Sequence, residues 1–160
     1  MNFYYIGIDT AETMGLAVWE PITHIAKVFQ AKGTPVGNLI VIKSVLENLY
    51  SSDISISMEE LYNFKYPKVV RSLFQRYGYI KYSLVELGYK IEEVHPRSAR
   101  KALDAKTKEG ARIKLEYRFT GLKLTDNHSD ALAVAICTSI KDGHEFDYNN
   151  LMIKPLGGTP

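Results

Sequence analysis

Cysteine is nearly absent from this 160-residue chain, and that absence removes two classes of protein at once. The single Cys137 cannot form an internal disulfide, and a Cys-rich zinc site is out of reach. It falls inside an apolar run, where a small buried side chain is the expected role. Missing too is any apolar stretch as long as a membrane span. The start at Met1-Asn2 lacks the basic segment of a secretory leader. These gaps predict an intracellular, cytoplasmic protein with no membrane partner. No internal repeat, low-complexity tract or linker interrupts the chain. The expectation is a single domain over residues 1–160, with the tail after about 145 the least defined part.

What is present suits a packed core. Apolar residues make up 46% and charged residues 24%, a globular balance that argues against disorder. The formal net charge of +2 decides little, but its distribution says more. Between Arg97 and Arg118 stand eight basic residues (Arg97, Arg100, Lys101, Lys106, Lys108, Arg112, Lys114, Arg118) against Asp104, Glu109 and Glu116, a local net charge of +5. That stretch is a candidate phosphate-facing surface. A pair of solvated helices with ordinary surface lysines explains it equally well.

The pattern of elements is readable along the chain. Phe3–Asp9 is almost continuously apolar, as a strand covered on both faces would be. Met14–Trp19 and Ile25–Ala31 follow as strands two and three. Pro35 opens a helix to about Tyr50, and Asp53–Met58 alternates as a fourth strand. A long helix over 67–88 carries Val70, Leu73, Tyr77, Ile80, Leu84 and Leu87 as an apolar seam, widened by Phe74, Tyr82 and Val85. Gly78 inside it predicts a point of close packing, and Gly88 a C-cap. Tyr89–Val94 reads as a fifth strand. Helices near 97–103, 108–119 and from Asp126 or Asn127 to about Lys141 complete the chain, with Gly157–Pro160 frayed. Three strands joined by tight turns and then parallel crossovers predict an α/β, ribonuclease-H-like fold: a mixed five-stranded sheet with helices on both faces.

Three acids end or open apolar segments: Asp9 after strand one, Glu59 after strand four, and Asp130 before Ala131–Ile136. A carboxylate placed there loses hydration and needs a cleft, a counter-ion or a metal. Taken singly, Asp9 reads as a turn residue. On adjacent central strands, Asp9 and Glu59 can reach one cation, while alternation turns Glu60 to the other face. The third group is Thr125-Asp126-Asn127-His128-Ser129-Asp130, in which Asp126 and Asp130, or Asn127 and Asp130, can share a helix face. Asp126 also suits an N-cap, and His128 is expected on the surface. Oxygen donors of this kind fit Mg²⁺ or Mn²⁺.

Together, Gly7-Ile8-Asp9, Met58-Glu59-Glu60-Leu61-Tyr62 and Asp130-Ala131-Leu132-Ala133-Val134-Ala135 resemble the RuvC family of Holliday-junction resolvases. The segment His95-Pro96-Arg97-Ser98-Ala99-Arg100-Lys101-Ala102-Leu103 is similar to the family's stretch after its fifth strand. The resemblance runs over nearly the whole chain. The turn Asp9–Gly15 lacks the family's common Pro-Gly pair and is one residue short, which suggests a divergent branch, a viral one among the candidates.

The resemblance implies a homodimer that cuts four-way DNA junctions with two Mg²⁺ ions per site, Mn²⁺ substituting, and leaves 5′-phosphate ends. Asp9, Glu59 and Asp130 match three catalytic acids. The fourth acid normally stands three before the last, where this chain has Asn127; Asp126 is one residue earlier, so the remaining ligand is split between them. Lys108 matches a lysine near the scissile phosphate, where its ammonium could stabilise phosphoryl oxygens. Tyr62 coincides with an aromatic that stacks on an unpaired base. Arg97, Arg100, Lys101 and Lys108 are the expected DNA contacts. Rival readings are another ribonuclease-H-like nuclease, cutting RNA–DNA hybrids or flaps, and a non-catalytic structure-specific DNA-binding protein.

Overall fold

The computed structural model describes residues 3–49, 53–61 and 67–156. Tyr62 and the glycine-rich end at 157–160 lie outside the described residues. The elements in chain order are β1 (Phe3–Asp9), β2 (Thr13–Glu20), β3 (Ile25–Lys32), α1 (Pro35–Asn48), β4 (Asp53–Glu59) and α2 (Pro67–Glu86). There follow β5 (Ile91–Val94), α3 (Pro96–Ala102), α4 (Lys108–Glu116), α5 (Asp126–Lys141) and β6 (Met152–Pro155).

The sheet runs β5-β4-β1-β2-β3-β6. β1, β2 and β3 form an antiparallel meander, and β4 joins β1 and β5 joins β4 in parallel. The sheet therefore has six strands, not the expected five. The sixth is β6, which adds in parallel to the outer edge of β3. Four residues with a lysine and a proline carry no alternation of their own, and Pro155 is tolerated because β6 is an edge.

Strand alternation sorts the apolar side chains onto two faces. Ile6, Ile8, Met14, Leu16, Val18, Ile56 and Met58 pack against Ile42 and Leu46 of α1 and Tyr77, Ile80 and Leu84 of α2. On the other face Tyr5, Ala17, Trp19, Ala26 and Val28 meet α5, which α3 and α4 cover from outside. Sandwiched in this way, α5 is buried continuously from Ser129 to Ser139. Two of its hydroxyls find internal partners: Trp19 Nε1 donates to Ser139 Oγ at 3.2 Å, and Thr138 Oγ1 to the Val134 carbonyl at 3.2 Å. Cys137 is buried and free. Among the described residues no helix is long and apolar enough to cross a membrane.

Two glycines let α5 lie this close. A Cβ on Gly7 would collide with the Ala131 carbonyl, and one on Gly15 with the Asn127 carbonyl. Both sit on the strand face that holds Asp9, so their missing side chains admit the first turns of α5 beside that acid. Gly78, by contrast, has nothing within 4 Å of a built Cβ. The close packing expected there is absent, because Gly78 lies on the outer side of α2. Gly88 takes a φ of 89° and ends α2 as expected, with Tyr89 N bonded to the Leu84 carbonyl at 3.1 Å.

Candidate active site

Asp9 and Glu59 follow directly on the parallel pair Ile8 and Met58. Alternation turns both toward α5, at the carboxyl ends of neighbouring strands, where open α/β sheets form clefts. The third acid comes from α5. Its N-cap is Thr125, whose hydroxyl accepts from His128 N at 3.3 Å, while His128 Nδ1 accepts from Thr125 N at 3.2 Å. This box fixes the start of α5 and sets Asp130 on its second turn. It also corrects two expectations. Asp126 is the first helical residue rather than the cap. His128 is half-buried against Phe119 rather than on the surface, and burial pulls its pKa below the ordinary value.

The three acids meet in a cleft of about 330 Å³ that also receives Lys108, Arg100, Ala11 and Glu60. Its apolar wall is Val70, Leu73 and Phe74 of α2, with Leu61 and Pro96. Asp9 is 8% and Asp130 5% exposed. Glu60, expected to turn away, is exposed at the rim of this same cleft, and its charge also acts on Tyr77 of α2.

Burial without enough positive charge shows in the titration of these groups. Desolvation, then the Asp130 charge, pushes Asp9 up to about 6, opposed by Lys108 and by the Ala11 amide, which donates to Asp9 Oδ1 at 3.2 Å. Desolvation followed by the charges of Asp130 and Asp9 pushes Glu59 up to about 8. Asp130 is also raised by burial, although Lys108 pairs with it at 2.5 Å and pulls the other way. Burial opposes the Lys108 ammonium, but the bond to Asp130 and the three carboxylates together keep its pKa above the ordinary value. The pair thus leaves burial dominant on the acid and attraction dominant on the amine.

The remaining predicted residues divide. Arg100 reaches the cleft and its charge acts on Glu59 and Asp130. Arg97 and Lys101 are exposed on α3, outside the cleft. Asp126 and Asn127 do not line it either: Asp126 is half-exposed and pairs with Arg112 Nε at 3.3 Å, while Asn127 lies with its backbone against Gly15. The basic stretch is not one free surface. Arg112 holds Glu116 and Asp126, Lys114 donates to the Leu103 carbonyl, and Arg118 stacks on Tyr148. Arg112, Gly7, Gly15 and Thr125 shape the site without having been singled out as site residues. The i,i+4 spacings of Lys108–Arg112 and Asp126–Asp130 were the available signal.

Among the described residues, no three Asp, Glu, His or Cys side chains are arranged to hold a metal ion by themselves. The donor chemistry nevertheless fits one. All the donors are oxygens, the acids are raised by uncompensated burial, and hard divalent cations prefer such ligands. Thr10 Oγ1 and Ser129 Oγ, adjacent in sequence to Asp9 and Asp130, are buried with no hydrogen-bond partner among the described residues. Polar capacity around these acids therefore exceeds what the protein itself satisfies.

The chain is similar in fold to solved structures. Over 90% of its length the chain superposes on Thermus thermophilus RuvC in complex with a Holliday junction substrate, with a TM-score of 0.67, 19% identity and 97% of that chain covered. A second T. thermophilus RuvC structure gives 0.65, with 18% identity and coverage of 90% and 98%. No protein-family model matches the chain. No curated protein matches it either. The fold is RuvC-like.

Proposed function

We propose that this chain is a divalent-metal-dependent endonuclease that cuts branched DNA, four-way junctions foremost, by hydrolysing phosphodiesters. The observation that carries the reading is the convergence of Asp9, Glu59 and Asp130, from β1, β4 and α5, in one cleft with Lys108 and Arg100. One of the similar solved structures holds a Holliday junction substrate, which supports four-way DNA as the ligand.

Asp9, Glu59 and Asp130 would hold the ions, with either Asp126 or Asn127 as the remaining donor. When bound, such ions activate the attacking water and neutralise the departing 3′ oxygen, giving a 5′-phosphate product. The chain's own residues do the rest. The Ala11 amide fixes one oxygen of Asp9, which holds the carboxylate in place for catalysis. Lys108, half-exposed at the cleft, offers its ammonium to the non-bridging phosphoryl oxygens. Arg100 sits between the acids and the open surface of α3, placed to hold the neighbouring backbone phosphate, with Arg97 and Lys101 extending that track. The Val70, Leu73 and Phe74 wall excludes water from one side. Tyr62 would stack on a base where the junction opens.

Paired cutting of a junction needs two sites, so the reading includes a homodimer. Its support is the outer side of α2, where Val69, Tyr82 and Val85 are 57%, 66% and 49% exposed although the helix already has a buried seam. Light scattering at micromolar concentration should give the mass of two chains.

The test is a panel of labelled four-way junction, flap, RNA–DNA hybrid and linear duplex with Mg²⁺. Junction nicking at paired positions, faster than on the other substrates, supports the reading. Preferred cutting of the hybrid would make the chain a different ribonuclease-H-like enzyme. Tight junction binding without cutting of anything would make it a binding protein.

A further inference from the structure

The acids of the cleft are not equally available. α4 and α5 pack side by side, and each presents a pair of charges one helical turn apart. Lys108 pairs with Asp130 at 2.5 Å, and Arg112 with Asp126 at 3.3 Å. Both acids on α5 that could hold a second ion are thus engaged by cations from α4, and the residue between them in the family pattern, Asn127, is neutral. Asp9 and Glu59 form no ion pair among the described residues.

The position of Lys108 is itself informative. It is the first residue of α4, after the N-cap Thr107, whose hydroxyl accepts from Gly110 N at 2.9 Å. A cation at a helix N-terminus opposes the positive end of the dipole. The contact with Asp130 compensates, and it holds a side chain that is otherwise half-exposed. Lys108 is therefore tethered by one partner, and a phosphate arriving at the cleft mouth offers a second.

We propose that Lys108 is a resident counter-ion that occupies Asp130 until DNA arrives, so that metal loading is ordered. Asp9 and Glu59, which carry no ion pair among the described residues, would take up the first ion. Asp130 would become available to a second only once a DNA phosphate has drawn Lys108 away from it. This proposal rests on the metal-dependent reading above and deepens it. Competition between the ammonium and an ion for one carboxylate is a coupling, and linkage makes it reciprocal: whatever removes Lys108 strengthens the second ion, and the second ion releases Lys108. Lys108 then acts twice, keeping Asp130 paired in the free protein and meeting the phosphate in the complex.

Mn²⁺ binding without DNA tests the order. Titrations followed by the electron-spin signal of free Mn²⁺ should show one ion per chain in the wild type, with a second much weaker. Lys108→Met, which keeps the stem and removes the charge, should strengthen the second ion by about tenfold and leave the first unchanged. Glu59→Gln should weaken the first. Equal binding of two ions by the wild type, or identical isotherms for wild type and Lys108→Met, would overturn the ordering. If Asp9→Asn and Asp130→Asn also leave Mn²⁺ binding unchanged, the metal-dependent reading falls, and the proposal with it.

A measurement on the unaltered protein guards against a folding defect in Lys108→Met. The ¹⁵N-ammonium resonance of Lys108, slowed in exchange by its ion pair, should keep its position through the first equivalent of Mg²⁺ and shift when junction DNA and further Mg²⁺ are added, as a phosphate replaces Asp130. Shift or loss of that resonance at the first equivalent would overturn the order of loading.

Discussion

The strand side and the helix side of the site hold similar acids with different partners. On the strand ends Asp9 is buried and Glu59 partly buried; they are close enough to repel and unpaired by any cation among the described residues, and their pKa values reach about 6 and 8. Asp126 and Asp130, on a helix, each have a cation from α4. The difference follows from the elements. Parallel strands bring neighbouring residues together at fixed register, and here the nearest ammonium, Lys108, pairs with Asp130 instead. Two helices side by side can each bring long side chains to the seam. On the proposed reading, the strand side would take an ion first, and on the helix side the α4 cations stand in for one.

The largest effects should come from removing charge in the strand half. Asp9→Asn and Glu59→Gln keep shape and lose the ligand charge, so junction cutting should fall by on the order of 10³-fold or more, with junction binding by gel shift nearly unchanged. Asp130→Asn should fall as far. Retained cutting in any two of the three would dissolve the comparison, since the halves would then not form one site.

Next come the glycines that hold the halves together. Gly7→Ala and Gly15→Ala force a Cβ into the α5 backbone, and such overpacking costs about 1–3 kcal/mol, more if the helix cannot shift. Thermal unfolding should show the loss, and cutting should drop even where the protein still folds, because Asp130 moves away from Asp9. Gly78→Ala, with open space around it, should instead stabilise α2 by roughly 1 kcal/mol.

The strand half also predicts a pH dependence in metal-free protein. A carboxylate whose folded pKa is raised favours the fold while protonated. That contribution is complete below its ordinary value and is lost as pH rises through the folded value. For Asp9 and Glu59 the loss runs from their ordinary 3.8 and 4.5 up to about 6 and 8. In EDTA the Tm should therefore decline toward pH 8. His128, lowered by burial, works the other way, adding stability as pH rises toward its ordinary 6.5. Glu59→Gln isolates the acid: it should flatten the curve between pH 6 and 8 and raise the Tm at pH 8 by at least about 3 °C. An unchanged slope would mean that Glu59 is not held in a low-dielectric cleft.

Asp126 and Asn127, at the start of α5, predict the smallest effects. Asn127→Asp supplies the carboxylate that the family pattern has at this place, and should lower the Mg²⁺ concentration for half-maximal cutting by roughly fivefold. Asp126→Asn, on a half-exposed group already paired with Arg112, should shift it less. The reverse ranking would assign the fourth ligand to Asp126.

Much of the fold was legible because it is built from local signals. Apolar alternation marked β1 to β5, Pro35 marked the start of α1, and Gly88 its role at the end of α2. β6 was not legible, since its pairing is supplied by β3 and not by its own pattern. Gly78 misled because a glycine in a helix does not reveal which side it faces. His128 misled because helical periodicity places a side chain but not the neighbour, Phe119, that covers it. At the site, the three acids were readable as residues that end or open apolar segments. Their convergence was expected too, but not what permits it, the close approach of α5 at Gly7 and Gly15. The Lys108–Asp130 and Arg112–Asp126 contacts were hidden likewise, because a spacing of four shows which charges share a face and not which helix they meet.

The most direct measurement is single-turnover nicking of a labelled four-way junction by wild type and Asp9→Asn, each in Mg²⁺ and in EDTA, with binding followed in parallel. The account predicts paired nicks with 5′-phosphate ends only for wild type in Mg²⁺, and comparable binding in all four cases. Nicking that persists in EDTA, or in Asp9→Asn with Mg²⁺, would contradict it.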